Sequence, residues 1–345
     1  MLEPYGFDKD DEVLDLLHSV FNPWCGNKDY FLWKYKSLKC DVTSFPLAWV
    51  LKKDDQIVAF NGYFPRKIKV GTKWVVCVQS MDTATHNSFR GKGLFRILQD
   101  GIYKEMSKHG VAWVYGWGNE NSFRLLISKV GWNIWDEQSM MLRILDGKKF
   151  LEAKLKNTMM VLCGGLVLKL YSQKWRTPRV RNGTVVEPLS FPKEIDELLI
   201  DVHDSFDFIA ERSASYLTWR VSNPIDGLRP ICIYVEDRIT GYAILQKDDA
   251  ENLFEIIDLL GLNNDAVHGL LAYVEDLARA EKISMIRFRV NIHHPYDKYF
   301  RQSGYFRSRT RFKCVGKSIN ANNLNAKIDF GNQIKRHWTL LERNE

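Results

Sequence analysis

The chain has 345 residues, of which 45% are apolar and 13% aromatic, and its formal net charge is +7. This length exceeds that of a usual single domain, so we expect two packed cores, and no segment has the composition of a disordered region. Residues 1–13 lack the apolar run of a secretory signal, and the six cysteines show no metal-binding spacing. We therefore expect a cytoplasmic protein without a bound metal.

No dense basic stripe or nucleic-acid motif is present, so we expect no nucleic-acid partner.

The N-terminal part of the chain alternates between helical and strand patterns. Residues 10–20 place apolar side chains at helical spacing, and a second helical stretch follows Asn27. Two strands, 47–53 and 56–65, flank a turn formed by two aspartates. A long strand rich in Val, Thr and Trp is predicted over 73–86.

The pattern then becomes rich in glycine and continues as a helix over 93–109. A strand over 111–117 follows, and a short helix over 122–130 ends at Gly131, a residue suited to a helix C-terminus. A strand near 140–144 is expected to close this first unit.

A predicted helix over 147–174 leads to a basic, proline-bearing linker, 177–183. Its most apolar part, 159–168, is shorter than the roughly 20 residues that a membrane span needs, so no span is expected. Lysines surround this apolar part, and they fit either a solvated helix face or a helix that rests on a membrane surface. These lysines are Lys154, Lys156, Lys169 and Lys174.

The second half of the chain repeats the order of elements of the first. Residues 216–220 echo 31–35, and the strand pair within 231–247 echoes the earlier pair. A strand, a helix over 265–280 and another strand follow in the same order. This shared order indicates a duplicated unit, and the mixture of hairpins and helices predicts a mixed sheet with helices on its faces.

The sharpest local signal is a loop between strand and helix, Arg90–Phe95, with the sequence RGKGLF; we refer to it as the glycine loop. Gly91 and Gly93 allow the backbone to approach a ligand closely. The first amides of the following helix favour an anion, and Arg90 and Lys92 add positive charge. The loop fits a diphosphate, although an ordinary glycine turn before a helix remains an alternative. It is neither a P-loop nor a dinucleotide fingerprint.

In this context the chain resembles the GCN5-related N-acetyltransferase (GNAT) superfamily, whose R-x-x-G-x-G/A sequence binds the diphosphate of CoA through backbone amides. Arg90 to Gly93 match its first four positions, whereas Phe95 departs from the last. The Asn119–Ser122 segment and Gly131-Trp132 resemble the next motif of the family. The resemblance implies a coenzyme site formed by Thr83, Ala84, Thr85, Arg90, Gly91, Lys92, Gly93, Leu94, Phe95, Asn119, Asn121 and Ser122.

The second half lacks a glycine loop, since its corresponding turn, Leu260–Asp265, carries no Arg or Lys. The chain therefore resembles a tandem GNAT protein, an α/β fold with two GNAT-like domains, each a central mixed, mostly antiparallel sheet flanked by helices. We expect a catalytic domain over 1–146, a connecting helix and linker over 147–182, and a degenerate domain over 183–345.

The resemblance implies direct acyl transfer from the thioester to an amine. The sheet is expected to open between the strand that ends near His86 and the strand that ends near Trp117, and the thioester lies in that gap. Amides of Thr83 to Thr85 would polarise the thioester carbonyl. The acceptor amine must be neutral to attack, so a base is needed, directly or through water.

Asp82 is the first candidate for that base, because a carboxylate in so apolar a strand calls for an explanation. It is equally suited to anchor a cationic substrate, or to a structural role. His86 is the alternative base, and a plain surface histidine is the competing interpretation. Glu120 is a third candidate.

The family's usual general acid is a tyrosine four residues before the helix-ending glycine, and Ile127 occupies that position here. Tyr115, Ser128 or water would have to protonate the leaving thiolate. A thiol with a pKa near 8.5 needs little help at neutral pH.

The sequence thus predicts an acyl-CoA-dependent N-acyltransferase that transfers acetyl from acetyl-CoA to a primary amine of a small molecule, with an amino sugar as the favoured acceptor. A Fem-like aminoacyltransferase and a non-catalytic module that binds CoA or a metabolite are the alternatives. Homo-oligomerisation is left open.

Overall fold

The structure, a computed structural model, describes residues 1–21, 26–37, 42–118, 120–152, 158–175, 177–178, 183–319 and 335–342. Its α-helices are α1 Asp10–Val20, α2 Lys28–Leu32, α3 Leu94–Lys108, α4 Glu120–Val130, α5 Gly147–Glu152, α6 Thr158–Lys174, α7 Ile195–Val202, α8 Ala214–Val221, α9 Asn264–Ala280 and α10 Asp297–Gln302. Its strands are β1 Leu2–Pro4, β2 Ala48–Lys53, β3 Gln56–Val70, β4 Lys73–Thr85, β5 Trp113–Gly116, β6 Asn133–Ile144, β7 Gly183–Val186, β8 Phe208–Ala210, β9 Arg229–Val235, β10 Arg238–Asp248, β11 Leu253–Gly261, β12 Met285–Asn291, β13 Phe306–Arg307, β14 Phe312–Ser318 and β15 Arg336–His337.

The chain divides into two compact units. The first comprises Met1–Glu137, Lys313–Asn332 and Glu342–Glu345, and the second comprises Gln138–Phe312 and Gln333–Leu341. Each unit therefore contains segments from both halves of the sequence. The domain boundaries predicted at 146 and 183 stay predictions.

The first unit contains a sheet with the order β1-β2-β3-β4-β5-β14. All neighbours are antiparallel except β4 and β5, which are parallel. Helices α3 and α4 pack on one face through apolar side chains at helical spacing, such as Leu98, Ile102 and Met106, against Val58 and Val78 of the sheet. Burial of this cluster supplies the hydrophobic stabilisation of the unit.

Helix α2 continues into a π-helical turn over Trp33–Ser37. Phe31 and Tyr35 lie with their ring centroids 6.2 and 5.7 Å from that of Phe60 on β3. The aromatic side chains of the helical stretch after Asn27 therefore belong to the core of the first unit, as the most frequent role of such residues suggests.

The second unit contains a sheet with the order β6-β12-β11-β10-β9-β7. Again one pair, β11 with β12, is parallel and the others are antiparallel. The predicted fold class, a mixed and mostly antiparallel sheet with flanking helices, is confirmed for each unit. The duplication of a common unit remains our interpretation of the matching strand orders.

One sequence expectation about the strands is wrong. The strand predicted near 140–144 to close the first unit instead pairs along Gln138–Ile144 with β12 of the second unit. Conversely, β14 from the C-terminal half pairs with β5, from Val315 opposite Gly116 to Ser318 opposite Trp113. Each unit thus takes its last sheet strand from the other half of the sequence.

The second unit buries a network of polar side chains around Asp258. His337 Nε2 lies 2.9 Å from one carboxylate oxygen, and Arg212 Nε and Tyr242 Oη donate to the other at 2.8 and 2.6 Å. The charge of the Arg212 guanidinium and the hydrogen bonds keep the pKa of Asp258 below its ordinary value despite burial. A buried carboxylate with this many donors is a satisfied core group.

His294 extends this network, since its Nε2 lies 2.9 Å from His337 Nδ1. The amide of Tyr296 donates to His294 Nδ1, which must therefore lack a proton, so Nε2–H donates to His337. Burial lowers the pKa of His294 well below its ordinary value, and the neighbouring His337 and Arg307 lower it further. His294 is thus held neutral in the core of the second unit.

Among the described residues, no helix is both long and apolar enough to cross a membrane. Within the same part of the chain, no group of three or more His, Cys, Asp or Glu side chains could hold a metal ion.

Candidate active site

Strand β4 contains a bulge at the position of the first catalytic candidate. Gly62 pairs with Met81 and Phe60 with Ala84, so Asp82 and Thr83 together lie opposite the single residue Asn61. Asp82 has a left-handed backbone with φ of 50°, which is uncommon for a residue other than glycine. A bulge of this kind redirects the backbone groups of a strand, and it coincides with the Thr83–Thr85 segment expected to polarise the thioester.

Beyond the bulge, β4 outlasts its parallel neighbour. The register joins Cys77 to Trp113 and continues to Gln79 opposite Tyr115, and β5 ends at Gly116. The remainder of β4 continues to Thr85 with β3 beside it. On the side of β5, β4 therefore extends past the last paired position without a strand partner. The predicted opening between the ends of these two strands lies there.

A short 3₁₀ turn, Asn87–Phe89, connects β4 to the glycine loop. His86 precedes it, and its Nδ1 accepts a hydrogen bond from the amide of Ser88 at 3.3 Å. The guanidinium of Arg90 donates to the Thr85 carbonyl at 3.4 Å. These contacts fix the path of the chain from the end of the strand into the loop.

Gly91 and Gly93 both adopt left-handed backbone conformations, with φ of 76° and 74°. Gly93 is the N-cap of α3, and it accepts at its carbonyl from the amides of Arg96 and Ile97. Across the described hydrogen bonds, none satisfies the amides of Gly91, Lys92, Leu94 or Phe95 within the protein. Exposed amides at the start of a helix form an anion site, because the helix dipole adds to their partial positive charge.

The charges around the glycine loop match that role. Arg90 and Lys92 are exposed, and the ammonium of Lys92 lies 4.9 Å from the ring centroid of Phe89. The ammonium of Lys53 on β2 lies 5.5 Å from the same ring. Two lysine ammonium groups thus lie near Phe89, next to the glycine loop, and with Arg90 of the loop they would favour a diphosphate.

The departure from the family sequence at Phe95 has a structural explanation. Leu94 and Phe95 are half-buried and pack, with Phe89, against the hydrophobic core of the first unit. The large side chain at the last motif position therefore contributes to packing below the helix start. It leaves the amides of the glycine loop available, as the first four positions of the motif require.

Asp82 is part of a buried ion pair. Its carboxylate lies 2.8 Å from the ammonium of Lys34 and accepts a hydrogen bond from the Tyr35 hydroxyl at 2.7 Å. The side chain of Lys34 is 1% exposed and that of Asp82 is 10% exposed. We refer to these three residues as the Asp82 cluster. Burial, together with the charge and hydrogen bond of Asp82, raises the pKa of Tyr35 well above its ordinary value, so the phenol stays a donor.

Two further residues support this arrangement, and sequence analysis missed both. A Cβ atom on Gly62 would lie 1.9 Å from the Tyr35 hydroxyl, so only glycine at that position lets the phenol reach Asp82. Buried Asn61 donates to the Met81 carbonyl at 3.1 Å, on the strand opposite the bulge. The role of Lys34 was also not predicted, although a lysine within the aromatic stretch FLWKY was a signal for a buried ion pair.

The other catalytic candidates lie in different surroundings. His86 is half-buried next to the glycine loop, with its ring centroid 5.8 Å from that of Phe89. Tyr115 is fully buried, with its ring centroid 6.1 Å from that of Trp113 and 5.9 Å from that of Trp117. Complete burial disfavours Tyr115 as the acid that protonates a thiolate, whereas His86 keeps access to the loop.

The remaining predicted coenzyme contacts lie at the start of α4. Ser122 is half-buried in its first turn. Asn119 lies outside the described residues, and for Glu120 and Asn121 only the helical backbone is described. Gly131 follows the helix in a left-handed conformation, with φ of 75°, as predicted for a helix-ending glycine. Trp132 is buried and donates from Nε1 to the Tyr103 hydroxyl at 2.7 Å.

The corresponding turn of the second unit is built differently. Between β11 and α9, the side chain of Asn263 accepts from the amide of Ala266 at 2.9 Å and so caps the helix. The amide of Gly261 donates to the Tyr296 hydroxyl, and that of Leu262 donates to the Thr240 carbonyl. Within the described residues, the amides of Gly261 and Leu262 thus have protein acceptors, whereas those of Gly91 and Lys92 in the glycine loop do not.

Comparison with known proteins agrees with this geometry. A family model described as an acetyltransferase (GNAT) domain matches residues 8–134. No curated protein matches the sequence significantly. A crystal structure from Enterococcus faecalis, described as a probable N-acyltransferase, has a TM-score of 0.69 at 13% identity, over 94% of this chain and 74% of its own. For a GCN5-related N-acetyltransferase from Anabaena variabilis, the TM-score is 0.69 at 12% identity, over 93% of this chain and 73% of its own.

The N-myristoyltransferase of Saccharomyces cerevisiae, solved with bound myristoyl-CoA, has a TM-score of 0.57 at 12% identity, over 92% of this chain and 78% of its own. At such identities the solved structures establish a shared fold. The family model adds the class of enzyme, and it spans the bulge, the glycine loop and α4. Residues 8–134 of this chain therefore match the model of the GNAT acetyltransferase domain.

Proposed function

We propose that the protein transfers an acyl group, most simply acetyl, from its CoA thioester to a primary amine of a small molecule. The observation that carries this proposal is the glycine loop. Its amides are free of protein acceptors, two glycines have left-handed backbones, and the loop itself carries the exposed cations Arg90 and Lys92. These features fit the diphosphate of CoA, which is a dianion that needs several donors at close approach.

Different residues of the site would bind the coenzyme and assist the reaction. Arg90, Lys92 and the free amides would hold the diphosphate. The bulge at Asp82 and Thr83 would direct backbone donors of β4 towards the thioester carbonyl, where negative charge develops in the transition state. The Asp82 cluster would keep the bulge in place, because the carboxylate is fixed by Lys34 and Tyr35.

The base that accepts the proton of the amine is then best assigned to His86. Imidazole side chains can exchange protons near neutral pH, and His86 is half-buried beside the loop, in contrast to the ion-paired Asp82. A base acting directly or through one water contributes typically 10²–10⁴-fold to the rate. Protonation of the CoA thiolate needs no dedicated acid at neutral pH, which accommodates Ile127 at the family's tyrosine position.

A thiol-release assay tests this function. The purified full-length protein is mixed with acetyl-CoA and a panel of amines that includes amino sugars, polyamines and amino acids. We expect release of free CoA thiol with one amine class and formation of the matching acetamide by mass spectrometry. Calorimetry that detects no binding of CoA would overturn the proposal.

A second candidate is a CoA-binding module without catalysis. It is favoured by the ion pair that holds Asp82 and by the complete burial of Tyr115, which remove two candidates from proton transfer. Tight binding of acetyl-CoA without thiol release over the whole panel would support this module. Stabilisation of the protein by aminoacyl-tRNA and not by CoA would instead support a Fem-like aminoacyltransferase.

A further inference from the structure

Helix α6 of the second unit presents an apolar face that the described residues do not cover. Its large apolar side chains recur at helical spacing, and their exposed fractions lie between 56% and 75%. They are Met159, Met160, Leu162, Leu166, Val167 and Leu170. We refer to them as the α6 face. A soluble monomer rarely exposes so continuous an apolar patch, and such patches mark interaction sites.

The sequence around the α6 face has an unusual charge. Residues 147–183 contain nine lysines and arginines and one acidic residue, Glu152, which gives this segment +8. The whole chain carries +7, so all other residues together carry −1. The positive charge of the protein is therefore concentrated on the segment that carries its exposed apolar helix. Lys148 and Lys149 of this segment are exposed on α5.

An exposed apolar helix face within a strongly basic segment is complementary to one kind of partner, an anionic lipid surface. Acyl chains receive the apolar side chains, and lipid phosphates receive the lysines and arginines. A nucleic acid would match the charge but would leave the apolar face unused. A second copy would match the apolar face, but a two-fold contact places the same patch on both sides, so cations would oppose cations.

The geometry of the helix specifies how it would meet a bilayer. A helix of the length of α6, Thr158–Lys174, extends about 25 Å at 1.5 Å per residue, and it is not among helices able to cross a membrane. Its exposed apolar side chains lie along one side of the helix. Such a helix lies parallel to the surface, with its apolar face inserted at the boundary of headgroups and acyl chains.

We propose that the α6 face binds the surface of anionic membranes and attaches the acyltransferase peripherally to them. The contact is reversible, since one apolar helix with surrounding basic residues binds far more weakly than a membrane-spanning segment. The proposal is independent of the acyl-transfer chemistry, which was assigned to the other unit.

Vesicle co-sedimentation of the full-length protein tests the proposal. Vesicles of phosphatidylcholine mixed with phosphatidylglycerol should bind the protein at low salt, and vesicles of phosphatidylcholine alone should not. The double variant Leu166→Gln/Leu170→Gln should weaken binding at least tenfold, because two inserted side chains become polar. Lys148→Gln and Lys149→Gln should each weaken it roughly fivefold.

The matched control is Leu189→Gln, which changes a leucine that is 101% exposed but lies outside the α6 face. If Leu189→Gln weakens vesicle binding as much as the α6 double variant does, the proposal is overturned. So would equal binding to neutral vesicles, binding that high salt leaves unchanged, or no binding to anionic vesicles. A dimer that is disrupted by the α6 double variant and does not bind vesicles would show that a second copy covers the face.

Cys163 provides a second readout, since it is a free and exposed cysteine on α6. A polarity-sensitive fluorophore attached there should shift to shorter emission wavelength with anionic vesicles. The labelling reaction repeated on Cys163→Ser identifies signal from other cysteines. An emission spectrum that stays constant while the protein co-sediments would place the membrane contact elsewhere and refute the assignment to α6.

Discussion

The substitution Gly91→Ala separates the ligand-binding role of the glycine loop from its role as a turn. In the protein alone, a Cβ atom on Gly91 would meet no other atom within 4 Å. The cost of folding is therefore the strain of a left-handed backbone, with φ of 76°, for an alanine. That strain is about 1–2 kcal/mol, so the variant should fold with a slightly lower melting temperature.

The effect on coenzyme binding is separate from that folding cost. We place the diphosphate in the open space beside Gly91, and a methyl group there would keep the phosphate from the amides. Loss of one or two charge-assisted hydrogen bonds should weaken CoA binding at least tenfold, or about 1.4 kcal/mol. Titration calorimetry with CoA measures this directly, and thermal unfolding of the same sample measures the folding cost.

Gly71 provides a control in the same unit. It lies in the turn between β3 and β4 with φ of 61°, and a Cβ atom there also would meet nothing within 4 Å. Gly71→Ala should therefore have a similar strain and leave CoA binding unchanged. Our reasoning fails if Gly91→Ala binds CoA like the unmodified protein, or if Gly71→Ala weakens binding to the same extent.

Three further predictions follow from the buried polar groups and the base. Lys34→Met removes the partner of a largely buried carboxylate and should destabilise the first unit by about 3–5 kcal/mol in urea unfolding; an effect below about 1 kcal/mol would contradict the ion pair between Lys34 and Asp82. His294 stays neutral when folded but takes up a proton near its ordinary pKa of about 6.5 when unfolded, so its contribution to stability falls as the pH drops below that value, by up to about 1.4 kcal/mol per pH unit. His294→Gln should flatten the decrease in urea midpoint between about pH 7 and pH 5, and an unchanged slope would contradict the assignment. His86→Gln should lower the acetyl-transfer rate about 100-fold with CoA affinity unchanged, whereas a normal rate would limit His86 to its capping contact with the loop.

Much of the fold could be predicted from the sequence because local patterns determine it. The helix α3 starts where glycines give way to apolar residues at helical spacing, and it was predicted within one residue at each end. The hairpins and the strand pair β9 and β10 follow from turn residues between alternating runs. Gly131 ends α4 as its type suggests.

The partners of the strands could not be predicted in the same way. Strand β6 was recognised as a strand, but its pairing with β12 depends on a segment more than a hundred residues away. A strand's own side chains specify which face is buried, and they do not specify which of two similar neighbours it joins. The positions of β6 in the second sheet and of β14 in the first sheet therefore depend on tertiary packing.

In the candidate site as well, features set by local sequence could be predicted and features set by tertiary contacts could not. The glycine loop was evident from Arg90 to Gly93, since each residue type has a local reason to be there. The role of Asp82 was left open between base, anchor and structure, because its ion pair with Lys34 joins residues far apart in sequence. Burial of Tyr115 likewise depends on tertiary packing that a strand pattern leaves unspecified.

A crystal structure of the protein with bound CoA would locate the diphosphate. We expect the diphosphate to accept hydrogen bonds from the amides between Gly91 and Phe95, with Arg90 or Lys92 beside it. Coenzyme bound at any other place, with those amides facing only solvent, would contradict this expectation.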